Sequence, residues 1–202
     1  MTEPLHPARL TEADLQAAAE RLGVRPATVR AVIEVESRGR GFLPDGRPVI
    51  LFERHVMYRT LKTAGHDADA LAARHPNVVN RRRGGYRGGA AEHARLARAS
   101  DIDPDCALAS ASWGLFQIMG FHWRRLGYPS VAALAKAMGA SEGEQLDAFA
   151  RFIETDPALH RALGARQWAT FARAYNGPAY RANRYDEKLA HAYERHANRG
   201  RA

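Results

Sequence analysis

The sequence predicts a mainly α-helical fold with a small β-hairpin or irregular β region. Ala and Arg dominate the 202 residues, whereas clusters of Val, Ile and Thr are scarce, so intrinsic propensity favours helices over an extensive sheet. A hydrophobic fraction of 46% allows a sizeable core. Since no repeat or long linker interrupts the chain, residues 1–202 are expected to form one domain, with about nine N-terminal and about five C-terminal residues flexible.

The first elements predicted are two short helices and a β turn. Thr11 suits the cap of a helix that ends at Gly23, and Pro26 suits the first turn of a second helix, PATVRAVIEVES. The following GRGFLPDGRPVILFER carries an Asp45-Gly46 turn signal between apolar stretches, which indicates a small hairpin or irregular loop. No other segment has a convincing strand pattern.

The middle of the chain mixes helical patches with irregular segments. Residues 80–89, NRRRGGYRGG, combine glycines with like charges and are typical of a mobile, solvated loop. Next, DPDCALASASWGLFQIM predicts a helix, a break at residues 112–114 and an apolar segment. The chain has one cysteine, so an internal disulfide framework is excluded.

The C-terminal third is predicted to be helical. Ser141 and Glu144 form a capping-box pattern, and Asp156-Pro157 opens a further helix that is followed by QWATFARAY. Residues 176–178, Asn-Gly-Pro, break the chain, and a polar helix is expected from about residue 186.

Charge and motifs limit the class of protein. A formal charge of +8 and a pI of about 10.1 suit an anionic partner such as nucleic acid, an anionic membrane or the bacterial wall. The start, MTEPLHPARLTEADL, lacks the pattern of a secretory signal, so synthesis in the cytoplasm without a signal peptide is expected. Metal-ligand spacings of Cys and His, a P-loop and a dinucleotide fingerprint are all missing from the sequence, so we expect no metal and no cofactor.

Glu36 has an unusual position on the second predicted helix. The apolar stripe of this helix consists of Val29, Val32 and Ile33. Glu36 follows them at helical spacing, so its carboxyl group should point toward the core side, where burial would raise its pKa from about 4.3 toward about 6. A group with such a pKa can act as a general acid on a glycosidic bond. The alternative is a helix-end glutamate satisfied by the following loop.

Glu34 on the same helix has the opposite environment. Arg30 lies one turn before it and Arg38 one turn after it, which predicts a solvated face with i,i+4 charge pairs. Glu34 is therefore expected to be an ordinary surface charge.

Three motifs together resemble one enzyme family. Glu36-Ser37 followed by GFLPDGRPVILFER, then ASWGLFQIMG, then AYNGP, closely resemble the N-acetylmuramidase family of phage endolysins over about residues 10–197. The same motifs are similar to goose-type lysozymes and soluble lytic transglycosylases. The resemblance implies a lysozyme-like helical domain, peptidoglycan as the substrate and Glu36 as the catalytic acid.

The resemblance also implies substrate-side residues. Ser112, Gly114 and Gln117 correspond to a segment that lines the sugar cleft in relatives, where a glycine permits close approach and Ser and Gln can bind sugar hydroxyl and acetamido groups. Tyr175 and Asn176 match a Tyr-Asn pair that faces the reacting sugar. The alternative for this pair is a helix-ending asparagine at a turn with an aromatic anchor.

A hydrolytic muramidase usually needs a second carboxylate, which lies roughly 5 to 9.5 Å from the acid in glycosidases. Glu53 in LFER is the best candidate, and Asp45 is weaker because Asp-Gly is explained as a turn. The alternative for Glu53 is an ion pair with Arg54, His55 or Arg59 that anchors the loop.

The favoured function is that of a muramidase, that is, an endolysin that cleaves the β-1,4 bond between N-acetylmuramic acid and N-acetylglucosamine. A lytic transglycosylase, which forms 1,6-anhydro ends and needs no second carboxylate, is the nearest alternative. A nucleic-acid-binding protein is a remote one, based on the basic NRRRGGYRGG segment. We expect a monomer that binds no nucleic acid, with basic patches that suit anionic surfaces. It would reach the periplasmic wall after membrane permeabilisation.

Overall fold

The computed structural model describes residues 9–36 and 39–199. In these ranges the chain forms eleven α-helices and one three-stranded antiparallel sheet, which confirms the mainly α prediction. The terminal segments expected to be flexible lie largely outside the described residues. Within those ranges, no helix is long and apolar enough to cross a membrane.

The elements follow one another closely along the chain. The helices are α1 Glu12–Leu22, α2 Pro26–Glu36, α3 Arg54–Thr63, α4 Ala68–Arg74, α5 Ala90–Ser100, α6 Pro104–Ala109, α7 Val131–Met138, α8 Glu142–Glu154, α9 Pro157–Gly164, α10 Trp168–Asn176 and α11 Tyr185–Arg199. The strands are β1 Ile50–Phe52, β2 Ala111–Trp113 and β3 Ile118–Met119. Short 3-10 turns occupy Gly120–His122 and Pro178–Asn183.

The predicted helix caps are confirmed. Thr11 Oγ1 accepts a hydrogen bond from the Asp14 amide at 3.2 Å, and Gly23 ends α1 with a φ of 63°. Ser141 Oγ accepts from the Glu144 amide at 3.1 Å and caps α8, which is the Ser141 half of the predicted capping box. These local hydrogen bonds satisfy amide groups that a helix end leaves without a partner.

The β region is larger than the sequence indicates. The Asp45-Gly46 turn is present and is closed by a single bridge between Phe42 and Pro48, while β1 pairs with β2 and β2 with β3. The predicted helix does break before the apolar segment, but it ends earlier, at Ala109, and residues 111–113 form the central strand. Strands of three and two residues are too short to show alternation in the sequence.

Helix α2 is buried on two faces. Val29 and Val32 belong to the main core, whereas Ala27 and Ala31 pack against α11 in a second, smaller cluster. The small alanine side chains let the two helices approach closely. Contacts on both faces fix the end of α2, and that end carries Glu36.

Candidate active site

Glu36 lies beside Tyr175. It is the half-buried last residue of α2, and its carboxylate is near enough to act electrostatically on the tyrosine of α10. Burial raises the pKa of Tyr175 well above its usual 10.0, and the charge of Glu36 raises it further. Tyr175 therefore stays protonated, and its hydroxyl donates to the Phe116 carbonyl at 3.3 Å. Ser37 and the side chain of Asn176 lie outside the described residues.

Glu34 is exposed, as predicted, but its partners are different. The predicted pairing with Arg30 is wrong, because Glu34 pairs with Arg195 and with His196, whose Nε2 lies 2.8 Å from the Glu34 carboxylate. Arg30 pairs instead with a glutamate of α1, and Arg38 lies outside the described residues. The difference arises because α11 packs along α2 and offers cations that a local pattern does not reveal.

Glu53 and Ser112 share one face of the sheet. Leu51 pairs directly with Ser112, and Glu53 follows Leu51 by two positions with extended backbone angles. Because side chains alternate along strands, all three project from the same face. The opposite face carries Phe52 and Trp113, which are buried in the core. Two predicted site residues thus share the sheet face opposite Phe52 and Trp113, and both are largely buried.

The three residues taken from the SWGLFQI segment form one hydrogen-bonded turn. Ser112 Oγ donates to Gln117 Oε1 at 2.8 Å, and Gln117 Nε2 donates to the Gly114 carbonyl at 2.8 Å. Gln117 adopts a left-handed conformation with a φ of 50°, which bends the chain between β2 and β3. The second N–H of the Gln117 amide can donate elsewhere.

Gly114 packs against Gln145, which gives a reason for a glycine here in addition to the predicted approach of a sugar. A Cβ atom at this position would lie 2.4 Å from Cδ of Gln145, and the backbone φ is 68°. Gln145 is itself held in place, since it accepts from the Leu115 amide at 2.8 Å and donates to the Met138 carbonyl at 2.8 Å. Close approach of α8 is by itself enough to require the glycine.

Helix α8 also fixes the chain just after Glu36. Glu142 Oε1 accepts from the Gly41 amide at 2.9 Å, and Gln145 Nε2 donates to the Gly41 carbonyl at 3.3 Å. Both side chains are buried. The sequence reasoning missed them, although their spacing of three places them on one face of α8. Gln145 therefore connects the segment after Glu36 to the turn at Gly114.

We expect Gly114→Ala to destabilise the fold more than Gly23→Ala. Both glycines have left-handed backbones, which cost a non-glycine residue about 1–2 kcal/mol, but a Cβ at Gly23 would meet no atom within 4 Å. Gly114→Ala adds overpacking against Gln145, worth about a further 1–3 kcal/mol. Urea denaturation measures the free energy of unfolding of each variant. Equal losses of stability in the two variants would show that the Gln145 side chain moves aside without cost.

Glu53 is buried and accepts a hydrogen bond from Tyr86 Oη at 2.7 Å. His55 Nδ1 lies 3.1 Å from the same carboxylate oxygen. Burial lowers the pKa of His55 below its usual 6.5, although the Glu53 charge opposes this effect. Among the described residues, Glu53 forms no ion pair with Arg54 or Arg59, so only the histidine of the three proposed anchors contacts it.

The NRRRGGYRGG segment is a loop, as predicted, but it is tied to α3 and β1. Arg54 donates to the carbonyls of Arg82 and Arg83, each at 3.0 Å, and Tyr86 reaches Glu53. The prediction of a mobile, solvated loop did not include these anchors, because they join residues about thirty positions apart, beyond the reach of local patterns.

Asp45, the weaker carboxylate candidate, serves the turn before β1. Its carboxylate accepts from the Arg47 guanidinium at 2.6 Å, and both side chains are well exposed. These hydrogen bonds lower the pKa of Asp45 below its usual 3.8. Across residues 9–36 and 39–199, no cluster of three or more His, Cys, Asp or Glu side chains could hold a metal ion.

Two comparisons match nearly the whole chain. The family model described as N-acetylmuramidase matches residues 25–197. The Burkholderia AP3 phage endolysin, whose crystal structure is known, is 58% identical in sequence to this chain. The two structures superpose with a TM-score of 0.92, and the match covers 98% of this chain and 74% of the endolysin chain. Among curated proteins, none is significantly similar.

Proposed function

The chain belongs to the N-acetylmuramidase family, and from this premise we propose that Glu36 is its general acid and Glu53 its second carboxylate. As a member of this family and a relative of a phage endolysin, the chain is a peptidoglycan hydrolase with lysozyme-type activity. The bond cleaved is the β-1,4 bond between N-acetylmuramic acid and N-acetylglucosamine.

The assignment of Glu36 as the acid rests on its proximity to protonated Tyr175. Glu36 is half-buried at the end of a fixed helix, where its carboxyl group can reach substrate while neighbouring protein shields it from bulk water. Tyr175 adds no charge at neutral pH, because burial and the Glu36 carboxylate keep its pKa high. Glu36 donates its proton to the glycosidic oxygen, and the leaving sugar departs as an alcohol.

The position of Glu53 on the sheet supports its role as the second carboxylate. It lies on the same sheet face as Ser112. Ser112 belongs to the segment that the family resemblance assigns to the sugar cleft. Glu53 either removes a proton from the attacking water or attacks the anomeric carbon itself, and in both cases one water molecule is consumed per bond cleaved. A lytic transglycosylase would not need this group.

The substrate contacts follow from the turn between β2 and β3. We assign the Ser112 hydroxyl and the second N–H of Gln117 to sugar hydroxyl and acetamido groups. Gly114 acts indirectly, since it lets this turn pack on Gln145. The roles of Tyr175 and Asn176 toward the sugar are carried over from the family motif.

The surroundings of the enzyme follow from its substrate and charge. The chain acts on peptidoglycan of the cell wall as a monomer, and binding of nucleic acid has no part in its function. Its formal charge of +8 favours association with anionic envelope surfaces. It reaches the periplasmic wall from the cytoplasm once the inner membrane has been permeabilised.

Product chemistry tests this mechanism. Digestion of purified peptidoglycan should leave reducing N-acetylmuramic acid ends, because water supplies the new hydroxyl group at the anomeric carbon. Mass spectrometry after borohydride reduction separates these ends from 1,6-anhydro ends, which have lost one water of about 18 Da relative to the reducing sugar and which borohydride does not reduce. A digest dominated by 1,6-anhydro ends would contradict a catalytic role of Glu53 in water activation.

A further inference from the structure

Tyr86 joins an exposed ring to a buried hydroxyl. The side chain comes from the loop at residues 80–89 and is 43% exposed, yet its hydroxyl donates to the Glu53 carboxylate at 2.7 Å. Burial raises the pKa of Tyr86, and the hydrogen bond to Glu53 raises it further, so the hydroxyl remains a donor. Among the described residues, large apolar or aromatic side chains this exposed are rare, and only Phe121 is comparable.

Buried Glu92 fixes the chain on both sides of this hydrogen bond. Its carboxylate accepts from the amides of Arg87 at 2.6 Å and Gly88 at 3.0 Å, directly after Tyr86. It also accepts from the amide of Phe52, directly before Glu53, at 3.0 Å. Burial acts to raise the pKa of Glu92, but these amide donors keep it below its usual 4.5.

Arg95 completes the arrangement from the next turn of α5. Its guanidinium donates to Glu92 at 2.7 Å and to the Phe52 carbonyl at 2.8 Å, and it reaches the Asn77 carbonyl at 3.0 Å. A buried ion pair costs desolvation free energy and adds little net stability compared with apolar packing. Its geometric effect is clear, because Glu92 and Arg95 hold the Tyr86 loop and the end of β1 at a fixed separation.

We infer that Tyr86 is a further functional residue of the muramidase site: its hydroxyl positions the Glu53 carboxylate, and its exposed ring packs against the glycan. The inference rests on the proposed catalytic role of Glu53. A tyrosine suits both tasks, since its ring offers a large apolar face and its hydroxyl a directional donor. The arginine-rich loop thus serves to bring Tyr86 to the site.

Tyr86→Phe separates the hydroxyl from the ring. A hydrogen bond to a charged group is worth about 1.5 kcal/mol or more, so we expect kcat on solubilised glycan strands to fall about tenfold, with KM unchanged. Tyr86→Leu, which also removes the ring, should raise KM in addition. Tyr58→Phe is the matched control, because its hydroxyl donates to the Asp69 carboxylate at 2.9 Å outside the site. This control should keep wild-type kinetics.

A double-mutant cycle shows whether Tyr86 acts through Glu53. On the residual activity of Glu53→Gln, adding Tyr86→Phe should cause no further loss, since the carboxylate that it positions is gone. An equal loss in both backgrounds would overturn the positioning role. Wild-type kcat in Tyr86→Phe, with only residual activity in Glu53→Gln, would overturn the inference and leave the proposed mechanism intact. Full activity of Glu53→Gln would instead remove the proposed role of Glu53.

Discussion

Glu36→Gln is expected to yield a folded protein whose peptidoglycan-cleaving rate is lower by at least about 10²-fold. The amide keeps the size of the side chain but cannot donate a proton to the leaving oxygen, and loss of a general acid typically has an effect of this size. Release of reducing ends from purified peptidoglycan measures the rate, and circular dichroism with a thermal melt checks the fold. A Gln variant with comparable activity would rule out Glu36 as the acid.

Glu34→Gln is the matched control on the same helix. Glu34 lies two positions before Glu36, but it is exposed and pairs with Arg195 and His196 of α11. Exposed ion pairs contribute little, so most activity should remain and the free energy of unfolding should change by only about 0.5 kcal/mol. If Glu34 proved as essential as Glu36, the prediction that only Glu36 lies on the functional face of α2 would be wrong.

The helices were predictable because their signals are local. Caps such as Thr11 and Ser141 act on amides within three residues, and the apolar stripe of α2 repeats within one turn. The strands β2 and β3 were not predictable, since each becomes a strand only by pairing with a partner elsewhere in the chain. For the same reason, the sequence did not indicate that Glu53 and Ser112 share one face of the sheet.

The helical spacing that selects Glu36 would also select Glu92. On α5, Glu92 precedes buried Leu96 and Ala99 by four and seven residues, and the structure buries it completely. The two glutamates differ in what surrounds them, because Glu92 is enclosed by amide donors and Arg95, whereas Glu36 is half-buried. Sequence spacing can therefore find a glutamate on an apolar face, but it cannot show whether the folded chain encloses that glutamate completely, as it encloses Glu92.

Contacts between distant segments explain the rest of what the sequence could not indicate. Gln145 fits against Gly41 and Gly114, which lie 104 and 31 positions away in the sequence. Tyr86 meets Glu53 across 33 positions. Such contacts carry no local pattern, so the supporting side chains of the site become visible only once the chain is folded.

Glu53→Ala is expected to abolish hydrolysis while the protein stays folded. The alanine variant loses the group that activates water or attacks the sugar, and it leaves space where the carboxylate stood. If Glu53 only anchors Tyr86 and His55, the variant should lose thermal stability more than turnover per folded molecule. Asp45→Ala is the matched control, since its exposed carboxylate lies in the turn before β1 and should be dispensable for activity.

Azide gives the sharper version of this test, because a small anion can take the place of the missing carboxylate. In Glu53→Ala, added azide should restore cleavage and form a glycosyl azide, whereas Glu36→Gln should gain nothing, since its leaving oxygen still lacks a proton donor. The anomeric form of the azide then reports the face of attack. A product of inverted configuration places Glu53 on the face opposite the leaving group, as nucleophile or as base, and the configuration of the wild-type hydrolysis product, retained or inverted, separates these two roles. A fully active Glu53→Ala would eliminate the catalytic role of this carboxylate and favour attack by the sugar's own hydroxyl group.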